Sequence, residues 1–298
     1  MLKYKADLLS LLYMVLATTF LILNWMQPEF NIWLWLGSMT MATTAFAMAH
    51  NHNHEPMWKS KFMNILTDYW LTIFYGFPVY AWIPTHNQNH HVYNNRPGDN
   101  TITWRFSEKN NLFTLLSYPI ISAIYQQEPT SNFLKHHWKN NKGLFFYYIS
   151  QYVLLIAFDA TAFYLDPFKA LMYVLIPQLF STQFVLIINY VQHVHCDEES
   201  KYNHSRNFVG LGSRFLLNAG FHTAHHEEMN LHWSKLPELH RKLEPHIDPS
   251  LNHRSLAWFL FKTYILGIFI PSCRTRNMRM ERIQKEQGQV TTDAALAS

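Results

Sequence analysis

Histidines are concentrated at three places in this 298-residue chain. The clusters have the sequences HNHNH at residues 50–54, HNQNHH at residues 86–91 and HTAHH at residues 222–226. Each cluster lies just beyond a long apolar segment. Imidazole is a good ligand for iron, copper, zinc and nickel. The clusters therefore predict a metal centre at the surface of a membrane.

The spacing within the clusters favours two metal ions over one. Residues four apart share a face of an α-helix, and residues three apart nearly do. The pairs that are four residues apart are His50 and His54, His86 and His90, and His222 and His226. Adjacent histidines point about 100° apart on an α-helix, so one member of each adjacent pair can reach one ion and its neighbour a second. The adjacent pairs are His90–His91 and His225–His226. A tetrahedral zinc site needs only three or four ligands, fewer than these histidines provide.

A ninth candidate ligand lies at the end of the fourth long apolar segment, in the sequence NYVQH. Asn189 and His193 are again four residues apart, so both are candidates for the same site. Other histidines lack this spacing and are expected to face elsewhere. They are His52, His195, His136 and His137.

The composition is typical of a membrane protein with a large polar part. Charged residues make up 15% of the chain, well below the roughly 25% of an average soluble domain. Four apolar segments are long enough, at about 1.5 Å per residue, to cross a hydrocarbon core of roughly 30 Å. They are residues 8–27, 30–49, 144–165 and 168–192. Residues 65–84 and 256–271 are interrupted or short and are expected to lie at the membrane interface, although a crossing by either would change the count.

These segments predict an all-α integral membrane protein with four transmembrane helices and a cytoplasmic helical cap that holds the metal site. Residues 1–285 are expected to form one domain and residues 286–298 a disordered tail. The two short turns opposite the histidines contain only Lys169 as a basic residue near the spans. The positive-inside rule then predicts that the histidines and both termini are cytoplasmic. An arginine-rich run at residues 274–282 suits lipid headgroups or a solvated tail, and nucleic acid is not expected as a partner.

The three clusters resemble the histidine boxes of the membrane-bound fatty acid desaturase and hydroxylase superfamily. Its boxes have the forms HX(3–4)H, HX(2–3)HH and HX(2–3)HH, and the similarity extends from about residue 8 to about residue 245. The third box continues as HTAHHEEMNLHWSKLPELH, similar to the family's HxxHH followed by a proline and another histidine, here Pro237 and His240. Asn51 departs from the common HDxxH form of the first box, so the orientation of His50 is expected to come from another residue.

The resemblance implies a non-haem di-iron centre. The implied iron ligands are His50, His54, His86, His90, His91, His193, His222, His225 and His226. Asn189 would match a residue that approaches iron through water. Carboxylates often hold a ligand imidazole in the correct tautomer, and the candidates nearest in sequence are Glu227, Glu228 and Asp197, for which an ordinary solvated charge is an equal alternative. The segment NHSRN at residues 203–207 also resembles the family but gives His204 no defined role.

The function that the resemblance implies is an O2-dependent acyl-lipid desaturase with two iron ions as cofactor. Its substrate is expected to be a fatty acyl or alkyl lipid whose chain lies between the spans. Electrons are expected from a separate ferredoxin, rubredoxin or cytochrome, because the sequence has no HPGG haem segment and no CxxC pair. Hydroxylation of an alkyl chain is the close alternative, since HNQNHHVYNNRPGD and NYVQH are also similar to membrane alkane hydroxylases, and terminal-alkene formation is a third outcome. A metal transporter is a remote alternative. Transport sites lie near the bilayer midplane, whereas these histidines cluster beyond the ends of the predicted spans.

Overall fold

The computed structural model describes the backbone of residues 1–296 and the side chains of residues 1–288, and it is mostly helical, as predicted. The α-helices are α1 (Leu8–Met26), α2 (Ile32–His54), α3 (Lys61–Tyr75), α4 (His91–Tyr93), α5 (Leu112–Tyr125), α6 (Gln127–Asn140), α7 (Lys142–Leu165), α8 (Pro167–Ala170), α9 (Ile176–His193), α10 (Leu211–Phe215), α11 (His222–Glu227), α12 (Leu236–Leu243), α13 (Leu256–Leu260), α14 (Gly267–Phe269) and α15 (Met278–Leu296). Segments of π-helix cover Ile83–His90, Leu171–Leu175 and Phe261–Leu266. The strands β1 (Asn207–Phe208) and β2 (Asn252–His253) pair in parallel.

Within residues 1–296, four helical segments are long and apolar enough to cross a membrane, which confirms the predicted number. They cover Lys5–Met26, Ile32–His54, Lys142–Leu165 and Pro167–His193. The reversals between them are capped, because Asn31 accepts hydrogen bonds from the first turn of α2 and Asp166 accepts one from the N–H of Lys169. The second span continues through His54, so the first histidine cluster is part of a membrane helix rather than of the loop after it.

The two segments predicted to be interfacial form shorter helices. The first of them, α3, has 15 residues, and at about 1.5 Å per residue it covers about 22 Å, less than a core of roughly 30 Å. The second apolar helix, Leu256–Phe269, is also shorter than the four spans. Both lengths agree with a count of four crossings.

One apolar core joins the four spans and α3 to the rest of the chain, which is here called the cap. Leu71 of α3 and Val185 of α9 are buried in the same cluster as Leu217 and Trp233 of the cap. Asp7, just before α1, accepts a hydrogen bond of 2.9 Å from the indole N–H of Trp233. The membrane helices and the cap are therefore packed as one unit around the histidines, which the cap and the span ends supply together.

The arginines near the C-terminus pair with carboxylates of the cap. Arg279 lies 3.0 Å from Glu108, and Arg282 lies 2.7 Å from Asp197. Ion pairs of this kind attach α15 to the cap. These two arginines are thus engaged by the protein itself, a use that the arginine-rich sequence alone does not reveal.

The same helix extends into residues 286–298, where the sequence predicts a disordered tail. Residues 286–296 continue α15, and Arg282 lies 3.2 Å from Glu286, one helical turn further on. Residues 297–298 lie outside the described part of the chain. The expected domain boundary after residue 285 stays a prediction.

Gly76 ends α3 with a positive φ of 81°. A Cβ atom there would lie 2.4 Å from Cβ of Gln178, whose amide nitrogen donates to the carbonyl of Ile73 and to Asp159, each at 3.0 Å. We expect Gly76→Ala to lower the thermal unfolding temperature by several degrees, since the positive φ alone costs roughly 1–2 kcal/mol. The matched control is Gly212→Ala, because nothing lies within 4 Å of a Cβ added there. Equal unfolding temperatures for the two variants would contradict this expectation.

Candidate metal centre

The second histidine cluster lies on a π-helix. This segment, Ile83–His90, continues directly into α4, and the N–H of His91 donates to the carbonyl of His86, five residues earlier. A π-helical turn is wider than an α-helical turn and closes between residues five apart. The wider turn therefore brings His91 toward the side of His86, and the ring of His90 stacks beside that of His86 with the centroids 5.3 Å apart. His86 and His90 thus lie side by side, as their spacing predicts, but their Nε2 atoms contact different histidines, His91 for His86 and His193 for His90.

The structure brings all nine histidines singled out from the sequence into two groups. Within each group the candidate ligand nitrogens lie within 4.8 Å of one another. The five-histidine group consists of His50, His54, His86, His91 and His225. The four-histidine group consists of His90, His193, His222 and His226. The adjacent histidines of the second and third clusters divide between the groups, as their spacing indicates.

Four members of the five-histidine group form a closed ring of nitrogen atoms. Nε2 of His50 lies 3.0 Å from Nε2 of both His86 and His225. Nε2 of His91 lies 3.1 Å from that of His86 and 2.9 Å from that of His225. The imidazole of His54 lies 4.6–5.1 Å from the other four rings. Nitrogens bound at about 2.1 Å and at right angles around one ion would be about 3.0 Å apart, so the ring has the dimensions of a metal site.

The four-histidine group has the same dimensions with one nitrogen fewer. Nε2 of His193 lies 3.1 Å from that of His90 and 2.8 Å from that of His222. Nε2 of His226 lies 3.1 Å from that of His222. This group therefore leaves more room for a ligand that the protein does not supply.

Two imidazoles of the four-histidine group direct lone pairs at each other. Nδ1 of His90 lies 2.8 Å from a carboxylate oxygen of Asp99, and Nδ1 of His193 lies 3.2 Å from the carbonyl oxygen of His204. Both acceptors require a proton on Nδ1, so each Nε2 atom carries a lone pair. These two Nε2 atoms are 3.1 Å apart, and this contact is repulsive unless a cation is bound to both. The donor set therefore fits a metal ion.

Burial favours the neutral form of five of these imidazoles, and the neutral form is the one that binds metal ions. Desolvation, followed by the neighbouring histidines, lowers the pKa well below its ordinary value in His86, His91, His222, His225 and His226. Among the described residues, His54 has both ring nitrogens buried without a hydrogen-bond partner. Since buried polar atoms are rarely left unpaired, a metal ligand role accounts for this side chain.

Asp99 is the carboxylate that orients His90, and it is not among the residues predicted from the sequence. The side chain is fully buried and accepts hydrogen bonds of 2.7 Å from the N–H of Asn95 and of Thr101. Burial alone would raise the pKa of Asp99, but His90 and the hydrogen bonds hold it below the ordinary value. Asp99 is therefore ionised and accepts the Nδ1 proton of His90. The sequence offers one signal, the turn-forming RPGD at residues 96–99, which directs the chain back toward the second cluster.

Asn51 itself orients His50, which corrects the expectation that another residue would. Nδ1 of His50 lies 3.1 Å from Oδ1 of Asn51, and Nδ2 of Asn51 donates to the carbonyl of Leu217 at 3.3 Å. Because a carbonyl can only accept, this second bond turns Oδ1 of the amide toward His50. An asparagine thus provides the acceptor that an aspartate provides in the common form of this box.

The three carboxylates singled out from the sequence lie elsewhere on the cap. Asp197 accepts a hydrogen bond of 2.7 Å from Arg282, and the side chains of Glu227 and Glu228 are exposed. Within residues 1–288, none of the observed side-chain hydrogen bonds joins these carboxylates to either histidine group. Their orienting role stays a prediction.

The histidines expected to face elsewhere lie outside both groups. Nδ1 of His52 accepts a hydrogen bond of 3.2 Å from the N–H of Met57. Nε2 of His195 donates to the carbonyl of Glu108 at 2.9 Å. His136 is exposed on α6. Histidine content alone therefore does not define the site, since these side chains have partners or solvent of their own.

A cavity of about 570 Å³ lies beside the two groups. Its wall includes His50, His86 and His222, so both groups contribute to it. On α9 the lining extends from Leu179 to Gln192, about 20 Å of helix at 1.5 Å per residue. None of the residues that line the cavity is Asp, Glu, Lys or Arg. An uncharged cavity along a membrane-spanning helix suits a long alkyl chain.

A comparison with protein families gives this arrangement a context. The model of the family described as fatty acid desaturase matches residues 28–272, which is most of the chain and includes every histidine of the two groups. Neither the curated proteins nor the solved structures gave a significant match.

Proposed function

The chain belongs to the fatty acid desaturase family, and we propose that it is an O2-dependent desaturase that introduces a double bond into the alkyl chain of a fatty acyl lipid. The observation that carries this proposal is the position of the cavity, whose wall is formed by histidines of both groups. An alkyl chain in the cavity would pass directly beside the metal centre. The absence of charged residues from the lining favours a hydrocarbon there.

We propose that each histidine group holds one iron ion. The five-histidine group would surround the first ion with protein nitrogens. The four-histidine group would hold the second, with Asn189 near it through a water molecule. Imidazole ligands suit iron but also copper and zinc, so the assignment to iron is supported by the family and not by the ligands alone.

The reaction requires an oxidant that amino-acid side chains do not provide. A di-iron centre supplies, with O2 and two electrons, the power to remove hydrogen from an unactivated C–H bond. In the balanced reaction, –CH2–CH2– with O2, two electrons and two protons gives –CH=CH– and two molecules of water. The two hydrogen atoms of the substrate leave with oxygen.

The protein positions the reacting groups and excludes water. Asn51, Asp99 and the carbonyl of His204 fix the protonated nitrogens of His50, His90 and His193 on the side away from the centre. Lone pairs of these ligands are thereby directed inward before any metal arrives. The apolar cavity wall keeps bulk water from the reacting carbon and aligns the chain past the centre.

We propose that the histidines and both termini face the cytoplasm and that a separate protein of the ferredoxin, rubredoxin or cytochrome type delivers the electrons. Lys5 and Lys142 begin spans on the histidine side. On the opposite side Lys169 donates to the carbonyl of Trp25 at 2.6 Å. The excess of lysines on the histidine side supports this orientation.

The product identifies the reaction. We expect purified protein, given iron, O2, a reduced ferredoxin and membrane lipid, to form acyl chains that are two hydrogen atoms lighter than the substrate. With 18O2 the label should appear in water and not in the lipid. A lipid product that is one oxygen atom heavier and carries the label would show that the reaction is hydroxylation and not desaturation. Metal flux across vesicles without any lipid product would favour a transporter.

A further inference from the structure

Tyr118 of α5 lies beside Asn189 of α9, one helical turn before His193. Nδ2 of Asn189 lies 2.7 Å from the phenol oxygen of Tyr118, and this phenol donates to the carbonyl of Thr101 at 2.8 Å. Tyr118 and Thr101 are both buried. Asn189 and Thr101 also line the cavity. The phenol thus joins two residues of the cavity wall from behind.

The direction of these hydrogen bonds determines how the amide of Asn189 is turned. A carbonyl can only accept, so the single proton of the Tyr118 phenol is committed to Thr101. The phenol oxygen must then accept from Asn189, which requires the NH2 group of the amide on that side. Oδ1 of Asn189 is left pointing away from Tyr118, on the side of α9 that lines the cavity and carries His193 one turn further on.

The phenol keeps its proton throughout the physiological range. Burial raises the pKa of Tyr118 above its ordinary value, and the nearby Asp99 adds to this shift. Its ring also packs against Tyr190 at a centroid distance of 4.9 Å, which restricts its rotation. The carbonyl that anchors the phenol belongs to Thr101, and the hydroxyl of Thr101 donates to Asp99 at 2.7 Å. Asn189 and His90 are therefore fixed by one continuous hydrogen-bonded segment.

We propose that Tyr118 is a positioning residue of the metal centre: it fixes the amide of Asn189 so that Oδ1 faces the four-histidine group and the cavity. This inference rests on the proposed function, because it assigns a purpose to the Asn189 oxygen. Without the phenol the amide is free to rotate and to present NH2 to the centre. An NH2 group can accept no hydrogen bond from a water molecule bound at that group.

The test uses the full chain loaded with cobalt(II), whose visible absorption reflects the number and kind of its ligands. We expect Tyr118→Phe to change the cobalt spectrum in the same way as Asn189→Ala. The kcat should fall about tenfold and KM should stay unchanged. Tenfold is the lower end of the loss of activity that follows when a residue hydrogen-bonded to a metal ligand is replaced. In the Asn189→Ala background, Tyr118→Phe should have no further effect on either readout.

The matched control is Tyr190→Phe, which removes another buried hydroxyl beside the same residues. The phenol of Tyr190 donates to Thr114 at 2.8 Å, and its removal should leave the cobalt spectrum at wild type. A wild-type spectrum for Tyr118→Phe, or effects of Tyr118→Phe and Asn189→Ala that simply add, would overturn the proposal. Failure of the wild-type chain to bind two cobalt ions would instead contradict the proposed metal centre.

A second pair of variants keeps the test independent of the folding of Tyr118→Phe. Asn189→Asp and Asn189→Leu both remove the donor to the phenol, but only the aspartate retains an oxygen toward the cavity. We expect the cobalt spectrum of Asn189→Asp to stay near wild type and that of Asn189→Leu to match Asn189→Ala. Identical spectra for the aspartate and leucine variants would show that the oxygen has no role.

Discussion

Replacing His225 with alanine is expected to abolish product formation and to lower the iron content by about half. His225 belongs to the five-histidine group, where its Nε2 lies 3.0 Å from that of His50 and 2.9 Å from that of His91. Its removal opens the ring of four nitrogens. His90→Ala should have the same effect on product by removing one of only four nitrogens in the other group. Iron is measured by elemental analysis of the purified protein, and product by mass spectrometry of the lipids.

The control for these two variants is His136→Ala. His136 is exposed on α6 and has no part in either group, so its replacement should leave iron content and product at wild type. All three variants are expected to insert and to be recovered from membranes in similar amounts, because the core packing of the spans is unchanged. Undiminished turnover in both His225→Ala and His90→Ala would exclude the proposed di-iron centre.

The sequence predicted the spans and the division of the adjacent histidines because both depend on short-range patterns. A run of about twenty apolar residues has few alternatives to a membrane-spanning helix. The side chains of adjacent residues point in different directions on any helix. The partition of the nine histidines also follows from spacing at the first and third clusters. His50 and His54 share one group, as do His222 and His226, each pair one α-helical turn apart.

The second cluster shows where spacing fails. His86 belongs to the same group as His91 and not to that of His90, and the backbone there is a π-helix, which brings residues five apart toward one side. Pro84, in the first turn, has no N–H to donate, but a single proline does not distinguish a π-helix from an α-helix. The π-helix also packs against α6 and the turn at Val79–Ala81, and spacing along the sequence does not reveal such tertiary contacts.

The groups that orient the ligands were the hardest to predict. Nearness in sequence selected Glu227, Glu228 and Asp197, whereas the carboxylate at His90 is Asp99, brought back by a turn. Asn51 was discounted because it is not an aspartate, although its amide oxygen accepts the same proton. An acceptor is identified by its position in space and its hydrogen-bonding capacity, and a family pattern records only the commonest residue.

Replacing Asp99 with asparagine is expected to weaken metal binding at the four-histidine group by about 10–100-fold, the range for groups directly behind metal ligands. One carboxylate oxygen accepts from Nδ1 of His90 and from Asn95, and the other accepts from Thr101. An amide keeps only one of the two oxygens, so it loses the acceptor on one of these sides. Loss of the negative charge of Asp99 also makes binding of the cation less favourable. Cobalt(II) titration should show one site near wild type and one weakened, and Asp248→Asn, whose carboxylate faces Arg276, should bind as wild type.

The same variant tests the ionised state of Asp99 without metal. The pKa of Asp99 is held below its ordinary value in the folded chain, so ionised Asp99 contributes stability above the ordinary pKa and loses it as the pH falls through the folded value. The wild-type metal-free chain should therefore unfold at a higher temperature than Asp99→Asn at neutral pH, and this difference should narrow in acid. A difference that is constant across the pH range would mean that the charge of Asp99 is not what stabilises the turn. Cobalt binding at two unchanged sites in Asp99→Asn would likewise remove Asp99 from the metal centre and leave it as a residue that only shapes the loop.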